Sequence, residues 1–209
     1  MTRNTELQAA KDYHEQTKHS PASIRTGLHA LDWANKPHPF KVYLDRPSTA
    51  LPTHFDPPGM GTLESISSNG QGGELDLTLL AQALYFAAGI TKKAQTPDGG
   101  TLHFRAAACA GALYPIEVYV VCGELNGLPA GVYHFGPRAF ALTRLREGDF
   151  RRYLVESAGL PNGESPATLV LTGLFWRSAW KYRARSYRYS FWDTGTILAN
   201  LLATVTSAG

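Results

Sequence analysis

The stretch that decides the fold runs from Arg105 to Cys122 and reads RAAACAGALYP followed by IEVYVVC. Its first half has only small side chains from Ala106 to Ala112, which leaves the backbone uncovered. A flat ligand could lie against such a backbone and accept hydrogen bonds from its N–H groups, and a close crossing of a helix and a strand would need the same residues. The branched and aromatic side chains of Ile116–Cys122 predict a strand directly after this loop.

The segments on both sides alternate between helices and strands joined by turns. Leucines and alanines recur at near-helical spacing between Asp76, which can cap a helix, and Gly89, which can end one. The other segments are predicted as strands at Val132–Phe135, Phe140–Leu145 and Ala167–Phe175, as helices at Asp149–Ser157 and Tyr189–Val205, and as a polar loop at Thr91–Gly100. Helices mixed with hairpin-linked strands predict the α+β class.

Residues 1–64 differ from the rest and are predicted to form a proline-rich N-terminal arm, with one domain over residues 65–209. Seven of the 13 prolines lie between Pro21 and Pro58, so we expect extended backbone there with little helix or sheet. Serine, asparagine and glycine residues from Ser65 to Gly73 predict a flexible boundary. The arm also carries large aromatic residues that we expect to pack on the domain or on a partner, namely Trp33, Phe40, Tyr43 and Phe55.

Composition excludes several classes of protein. Hydrophobic residues make up 44% of the 209, which excludes wholesale disorder. The two cysteines, Cys109 and Cys122, are too few for a disulfide framework, and the seven histidines show no metal-ligand spacing. No apolar run approaches the roughly 20 residues of a membrane helix, and the polar N-terminal residues lack a signal-peptide core. A cytoplasmic protein is therefore expected.

Cys109 has two interpretations. It could act as a nucleophile, but no base is recognisable beside it in the sequence. A small buried side chain is the other interpretation, and the one favoured by the small residues on either side of it.

A second segment with chemical potential runs from Arg177 to Tyr189. It contains five basic residues, three tyrosines and one tryptophan, and no acid. Guanidinium groups suit phosphates and aromatic rings suit stacking, so a small anionic ligand or a nucleic acid would each fit. Arginines that pair with carboxylates at an interface are the structural alternative. The net charge of +3 is too small to favour nucleic acid by itself.

Together the two segments resemble one family, the nitroreductase-like flavoproteins. The loop and strand from Ala108 to Val121 resemble the family's "Pro-Ser-Ala-Gly-Gly-Leu-Tyr-Pro" loop and its strand, and Gly131–Phe135 resembles its "Gly-Leu-Tyr-His-Tyr" strand. The spacing of basic and aromatic residues from Arg177 to Tyr189, followed by Asp193-x-Gly195 and Asn200, is similar to its second signature. The likeness covers about Leu75–Ala203. It is closest to the SagB/ThcOx-type dehydrogenases, which oxidise thiazolines and oxazolines in modified peptides.

The resemblance implies a nitroreductase-like antiparallel sheet flanked by helices, with FMN bound at the interface of a homodimer or of two tandem domains. By position, the flavin would be lined or held by Arg105, Ala108, Cys109, Ala110, Gly111, Arg177, Arg185 and Arg188. Lys181 and Tyr182 match the Lys-Tyr pair that serves proton abstraction in the azoline-oxidising members. A heterocycle in a peptide-derived substrate or a small electrophile is the implied substrate, without nucleic acid or membrane as a partner.

Three departures from the family pattern favour an alternative, a non-catalytic subunit that completes an interface with a partner domain. Ala108 and Cys109 stand where the loop usually has proline and serine, and the usual N-terminal "Arg-x-Ser-x-Arg" is absent. The chain also ends at Gly209, early for this family, so the domain is expected to be short at its C-terminus. It resembles the first half of relatives that carry two such domains.

Overall fold

Five antiparallel strands form the central sheet, in the order β1-β6-β5-β4-β7. The computed structural model describes residues 6–26, 29–56, 59–69, 72–97, 99–160 and 165–208. The sheet strands are β1 (Ser48–Ala50), β4 (Ile116–Cys122), β5 (Gly131–Gly136), β6 (Ala141–Glu147) and β7 (Ala167–Gly173), and a separate hairpin consists of β2 (Ile90–Gln95) and β3 (Thr101–Arg105). The helices are α1 (Leu7–Thr17), α2 (Pro21–Thr26), α3 (Thr62–Ser67), α4 (Leu77–Ala88), α5 (Arg151–Ala158), α6 (Phe175–Tyr182) and α7 (Ser186–Ser207).

Strand β4 lies inside the sheet and is buried on both faces. It pairs with β5 through Cys122↔Gly131 and with β7 through Ile116↔Gly173. Its even-numbered residues Val118 and Val120 pack in the core against α4. Because side chains alternate along a strand, Glu117 and Tyr119 point to the opposite face, which the arm covers.

Helix α4 is the main apolar cover of the sheet, and its sequence prediction is confirmed. The Asp76 carboxylate accepts a hydrogen bond from Leu79 N at 2.8 Å and caps the first turn, and Gly89 follows the last residue. Leu80 and Leu84 lie in the core, where each buried leucine contributes about 1.5–3 kcal/mol. Helix α7 packs on α4 and α6, with Ile197 in a second buried cluster beside Ala107.

Three local predictions were wrong. Thr91–Gly100 is not a loop, because Ile90–Gln95 pairs with β3, and a solvated hairpin shows no apolar alternation by which it could be recognised. The arm is less extended than expected, since it contains α1 and α2 and contributes β1 to the sheet. Ser65 does not begin a flexible segment: it is buried in α3, which packs on α7. Residues 70 and 71 of that predicted boundary lie outside the described residues.

The aromatic residues of the arm pack on the domain, as predicted. Trp33 contacts Trp180 edge to face at 5.3 Å between ring centroids, and the Trp180 indole donates a hydrogen bond to Asp32 O at 2.6 Å. Tyr43 lies 5.1 Å from the His134 ring, and its hydroxyl is 3.1 Å from that of Tyr119. Within the described part of the chain, no helix is long and apolar enough to cross a membrane.

Candidate functional site

The loop between β3 and β4 has an unusual backbone. Gly111, Ala112 and Tyr114 all have positive φ angles, of 63°, 53° and 48°. A positive φ costs a residue with a side chain about 1 kcal/mol or more, so surrounding contacts must hold the loop in this shape. Ala108 and Gly111 are exposed, whereas Cys109 and Ala110 between them are partly buried.

Asp193 on α7 provides two of those contacts. Its carboxylate accepts hydrogen bonds from Ala110 N and from the Cys109 thiol, each at 3.1 Å. The neighbouring Thr196 hydroxyl donates to Ala108 O at 2.9 Å. Sequence reasoning noted Asp193 only as part of the second signature. The sequence feature that could have identified Asp193 is its position as the first acidic residue after a long basic segment.

The Cys109 thiol is a structural group. Burial, assisted by the Asp193 carboxylate, raises the pKa of Cys109 to about 12, and Tyr114 N donates to its sulfur at 3.0 Å. At neutral pH almost none of this group is thiolate, which is the nucleophilic form. The structure therefore favours the buried side chain over the nucleophile.

Lys181 and Tyr182 on α6 lie against Gly111 of the loop. A Cβ atom at Gly111 would lie 3.1 Å from Lys181 Nζ and 3.3 Å from Tyr182 Cζ, and closer still to the Tyr182 hydroxyl. Only glycine fits at this contact. Burial raises the pKa of Tyr182, with the neighbouring Tyr189 as the next cause, so its hydroxyl keeps its proton at neutral pH. Two segments far apart in the sequence thus meet at Gly111.

Arg105 lies beside the loop with unused hydrogen-bonding capacity. It lines a cavity of about 10 Å³ with Cys109, Tyr114 and Asp193, which leaves room for about one water molecule. Its guanidinium lies 4.8 Å from the Tyr114 ring, and its buried Nε has no hydrogen-bond partner among the described residues. Burial lowers the pKa of Arg105 to about 10, although Glu117 opposes that change.

Arg177 is held by a buried ion pair. Its Nη1 donates to Glu117 Oε1 at 2.7 Å and to Tyr114 O at 2.6 Å, and only 2% of its side chain is exposed. Glu117 Oε2 lies 2.8 Å from His134 Nε2 on β5. Burial raises the pKa of Glu117, but the contacts with His134 and Arg177 outweigh it, and the net pKa lies below its usual value. The pair therefore ties α6, which carries Lys181, to the loop.

Arg185 and Arg188 contact the arm. Arg185 donates to Thr17 O and, at 2.7 Å, to the Tyr189 hydroxyl. Arg188 donates to Thr17 Oγ1 at 2.9 Å, and its backbone N–H donates to the Tyr13 hydroxyl at 3.0 Å. Arg177 thus pairs with a carboxylate of its own chain, whereas Arg185 and Arg188 bind hydroxyl and carbonyl oxygens rather than carboxylates.

These residues fit the ring of a flavin. Ala108 and Gly111 are exposed and Lys181 Nζ lies against Gly111, whereas Arg105, with its unpartnered Nε, lies buried in the cavity on the other side of the loop. The cavity below the loop is too small for the ring, which would have to lie on the exposed side. The arginines expected at the phosphate are bound elsewhere, so the fit is to the ring alone.

The antiparallel sheet, its covering helices and the loop under α7 are those of a nitroreductase-like α+β fold. The crystal structure of a nitroreductase-like protein from Anabaena variabilis matches with a TM-score of 0.70 and 30% identity, over 92% of this chain and 37% of that one. A nitroreductase-like protein of Methanocaldococcus jannaschii is 26% identical over 137 residues, which cover 65% of each chain. In fold and in sequence the chain is therefore similar to proteins of the nitroreductase superfamily.

A third similarity is to the trifolitoxin-processing protein TfxB of Rhizobium leguminosarum bv. trifolii. It is 34% identical over 134 residues, which cover 61% of this chain and 36% of TfxB. The chain thus spans little more than a third of the length of TfxB and of the Anabaena protein. No family model matches the chain.

Proposed function

We propose that this chain is an FMN-dependent oxidoreductase domain of the SagB/ThcOx type that oxidises a heterocycle in a peptide-derived substrate or reduces a small electrophile. The observation that carries the proposal is the contact at Gly111, where the small-residue loop meets Lys181 and Tyr182. The similarity to TfxB, named as a trifolitoxin-processing protein, supports a peptide-derived substrate.

The flavin ring would lie on the exposed side of the loop from Ala108 to Gly111, with the buried Arg105 supporting the loop from the cavity behind it. When bound, it supplies the electron acceptor or donor of the reaction. The chain's own residues orient the substrate and handle the proton: Lys181 would accept it when its side chain is the neutral amine, and the protonated Tyr182 hydroxyl is placed to donate a hydrogen bond. Substitution of bulky leucine for Ala110 should abolish flavin retention and leave the fold intact.

We also propose that the chain forms a homodimer, or pairs with a second nitroreductase-like domain, through α7. Phe191, Leu198, Leu202 and Val205 recur at helical spacing and are exposed by 62%, 39%, 61% and 36%. Gly195 lies on the same stripe, and a Cβ there would meet no atom within 4 Å. An apolar stripe of this length usually marks an interface. Light scattering tests this, since L202E should convert a dimer into a monomer.

A non-catalytic subunit is the second candidate. The observation in its favour is the engagement of Arg177, Arg185 and Arg188 with other parts of the protein, which leaves them unavailable to a cofactor phosphate. Weaker FMN binding than in family members with the N-terminal arginine motif is expected for the same reason.

One experiment separates the two candidates. The purified protein is titrated with FMN, and its turnover is measured with a thiazoline-containing peptide. For the enzyme, Lys181→Ala should lower turnover by about two orders of magnitude or more while FMN binding persists, the usual effect of a lost general base. Lys92→Ala, a change of the same type on the β2–β3 hairpin, is the control and should change neither quantity. A colourless protein that dimerises but takes up no FMN would favour the non-catalytic subunit.

A further inference from the structure

A basic cleft lies outside the candidate site, between the arm, the β2–β3 hairpin and the turn that joins β5 to β6. It consists of two adjoining cavities of about 580 Å³ and 540 Å³, which share Lys93 and Arg138. The residues that define it are Lys93, Arg138, His38, His54, His103 and Phe40. Nothing in the proposed chemistry uses this cleft.

The hairpin forms one wall of the basic cleft through a single face. Lys93 pairs with His103 across the strands and Gln95 pairs with Thr101, so these four side chains point the same way. Lys92 points to the other face, where its Nζ lies 6.0 Å from the Phe104 ring centroid. Lys92 and Lys93 are therefore adjacent in the same strand, but only Lys93 faces the cleft.

The described residues do not neutralise the charge of the cleft. No aspartate or glutamate lines either cavity among the described residues, and neither Lys93 nor Arg138 forms a salt bridge there. Arg138 lies 5.9 Å from the Phe40 ring centroid, and Arg105 of the candidate site lies at the same distance from that ring. The cleft thus adjoins the candidate site, with Phe40 between them.

The shape of the cleft indicates a chain rather than a small phosphate. Phosphates are usually bound by converging backbone N–H groups of glycine-rich turns or helix N-termini. Within the described residues, no glycine lines either cavity, and the two permanent cations, Lys93 and Arg138, lie where the two open cavities meet, so that the groove extends to either side of them. Aromatic side chains, among them Phe55, Tyr85 and Phe140, form its apolar walls.

We propose that the basic cleft binds an acidic segment of the peptide substrate, with carboxylates at Lys93 and Arg138 and an apolar side chain against the aromatic wall. The identity of this peptide as substrate rests on the proposed function. A site beside the loop would hold one part of the peptide while another reaches Gly111, which is how remote binding energy orients a substrate.

The test uses a short fluorescein-labelled peptide in which glutamates alternate with glycine and aromatic residues, measured by fluorescence anisotropy against the whole protein. Wild type should bind it with an affinity that falls as salt rises. Lys93→Glu and Arg138→Glu should each weaken binding about tenfold or more, because a charge that attracts the peptide becomes one that repels it. Lys92→Glu, the same change on the opposite face, should stay within about twofold of wild type.

Three results would overturn the inference: equal losses in the two lysine variants, equal binding of a peptide with glutamine in place of glutamate, or displacement of the peptide by inorganic phosphate or FMN. Peptide binding is measured without flavin and without turnover, so the cleft and the enzyme can each be refuted independently of the other. Peptide binding in a protein that takes up no FMN would refute the enzyme and keep the cleft. Unchanged peptide binding in Lys93→Glu, with turnover intact, would refute the cleft and keep the enzyme.

Discussion

Replacement of Glu117 by glutamine tests whether the buried ion pair holds the candidate site together. The change keeps the size of the side chain and removes its charge. The Arg177 guanidinium, with 2% of the side chain exposed, then loses the carboxylate that lies 2.7 Å away. His134 Nε2 also loses a charged partner at 2.8 Å.

The expected cost follows from the burial of the charge that remains. Removal of one partner of a buried pair typically costs about 3–5 kcal/mol, because the other charge stays buried without compensation. For a chain of this length, each 1 kcal/mol lowers Tm by about 2–4 °C, so Glu117→Gln should lower it by about 6–20 °C. The double variant Glu117→Gln/Arg177→Met removes both charges of the pair and should recover part of the loss; the remainder persists because the buried Arg105 also loses the nearby Glu117 carboxylate.

The assay is chemical denaturation at several pH values. The pKa of Glu117 lies below its usual value in the folded protein, so its carboxylate favours the folded state. That contribution is complete above the unfolded pKa, about 4.3, and is lost as the pH falls through the lower folded value. The difference in unfolding free energy between wild type and Glu117→Gln should therefore shrink below about pH 4.3.

The reasoning is refuted if Glu117→Gln changes the free energy of unfolding by less than about 1 kcal/mol at pH 7, or if the double variant is no more stable than the single one. Either result would mean that Arg177 does not depend on this carboxylate. A matched surface change, Glu156→Gln, removes the exposed partner of Arg152 and should cost no more than about 0.5 kcal/mol.

Two further predictions concern the loop. Cys109, with a pKa of about 12, should react with iodoacetamide at pH 8 about a thousandfold more slowly than a free cysteine, and peptide mapping by mass spectrometry should show rapid labelling only after unfolding; rapid labelling of the folded protein would contradict the buried thiol. Gly111→Ala should cost about 1–2 kcal/mol for the positive φ and should displace Tyr182. We expect a lower Tm and altered tyrosine fluorescence. The control Gly159→Ala, with a similar φ and no atom near its Cβ, should show the loss of stability alone.

Much of the fold was predictable because it depends on local patterns. The apolar spacing of α4 and its Asp76 cap act within a few turns of chain, and the branched residues of β4 indicate a strand without reference to a partner. The hairpin was missed because β2 is solvated, and its existence depends on pairing with β3. The overall proline content of the arm did not indicate its helices. Prolines are frequent in the arm as a whole, but α1 contains none.

The sequence by itself determined the fold class of the protein and indicated the two segments that form the candidate site, since both follow from residue type and spacing in short stretches. Only the tertiary structure decided which of those residues meet. In the folded protein, Lys181 and Tyr182 contact Gly111, Arg177 pairs with Glu117, and Arg188 binds the arm. A guanidinium can satisfy a phosphate, a carboxylate or a carbonyl equally well, so its partner is chosen by long-range packing, which leaves no local signature in the sequence.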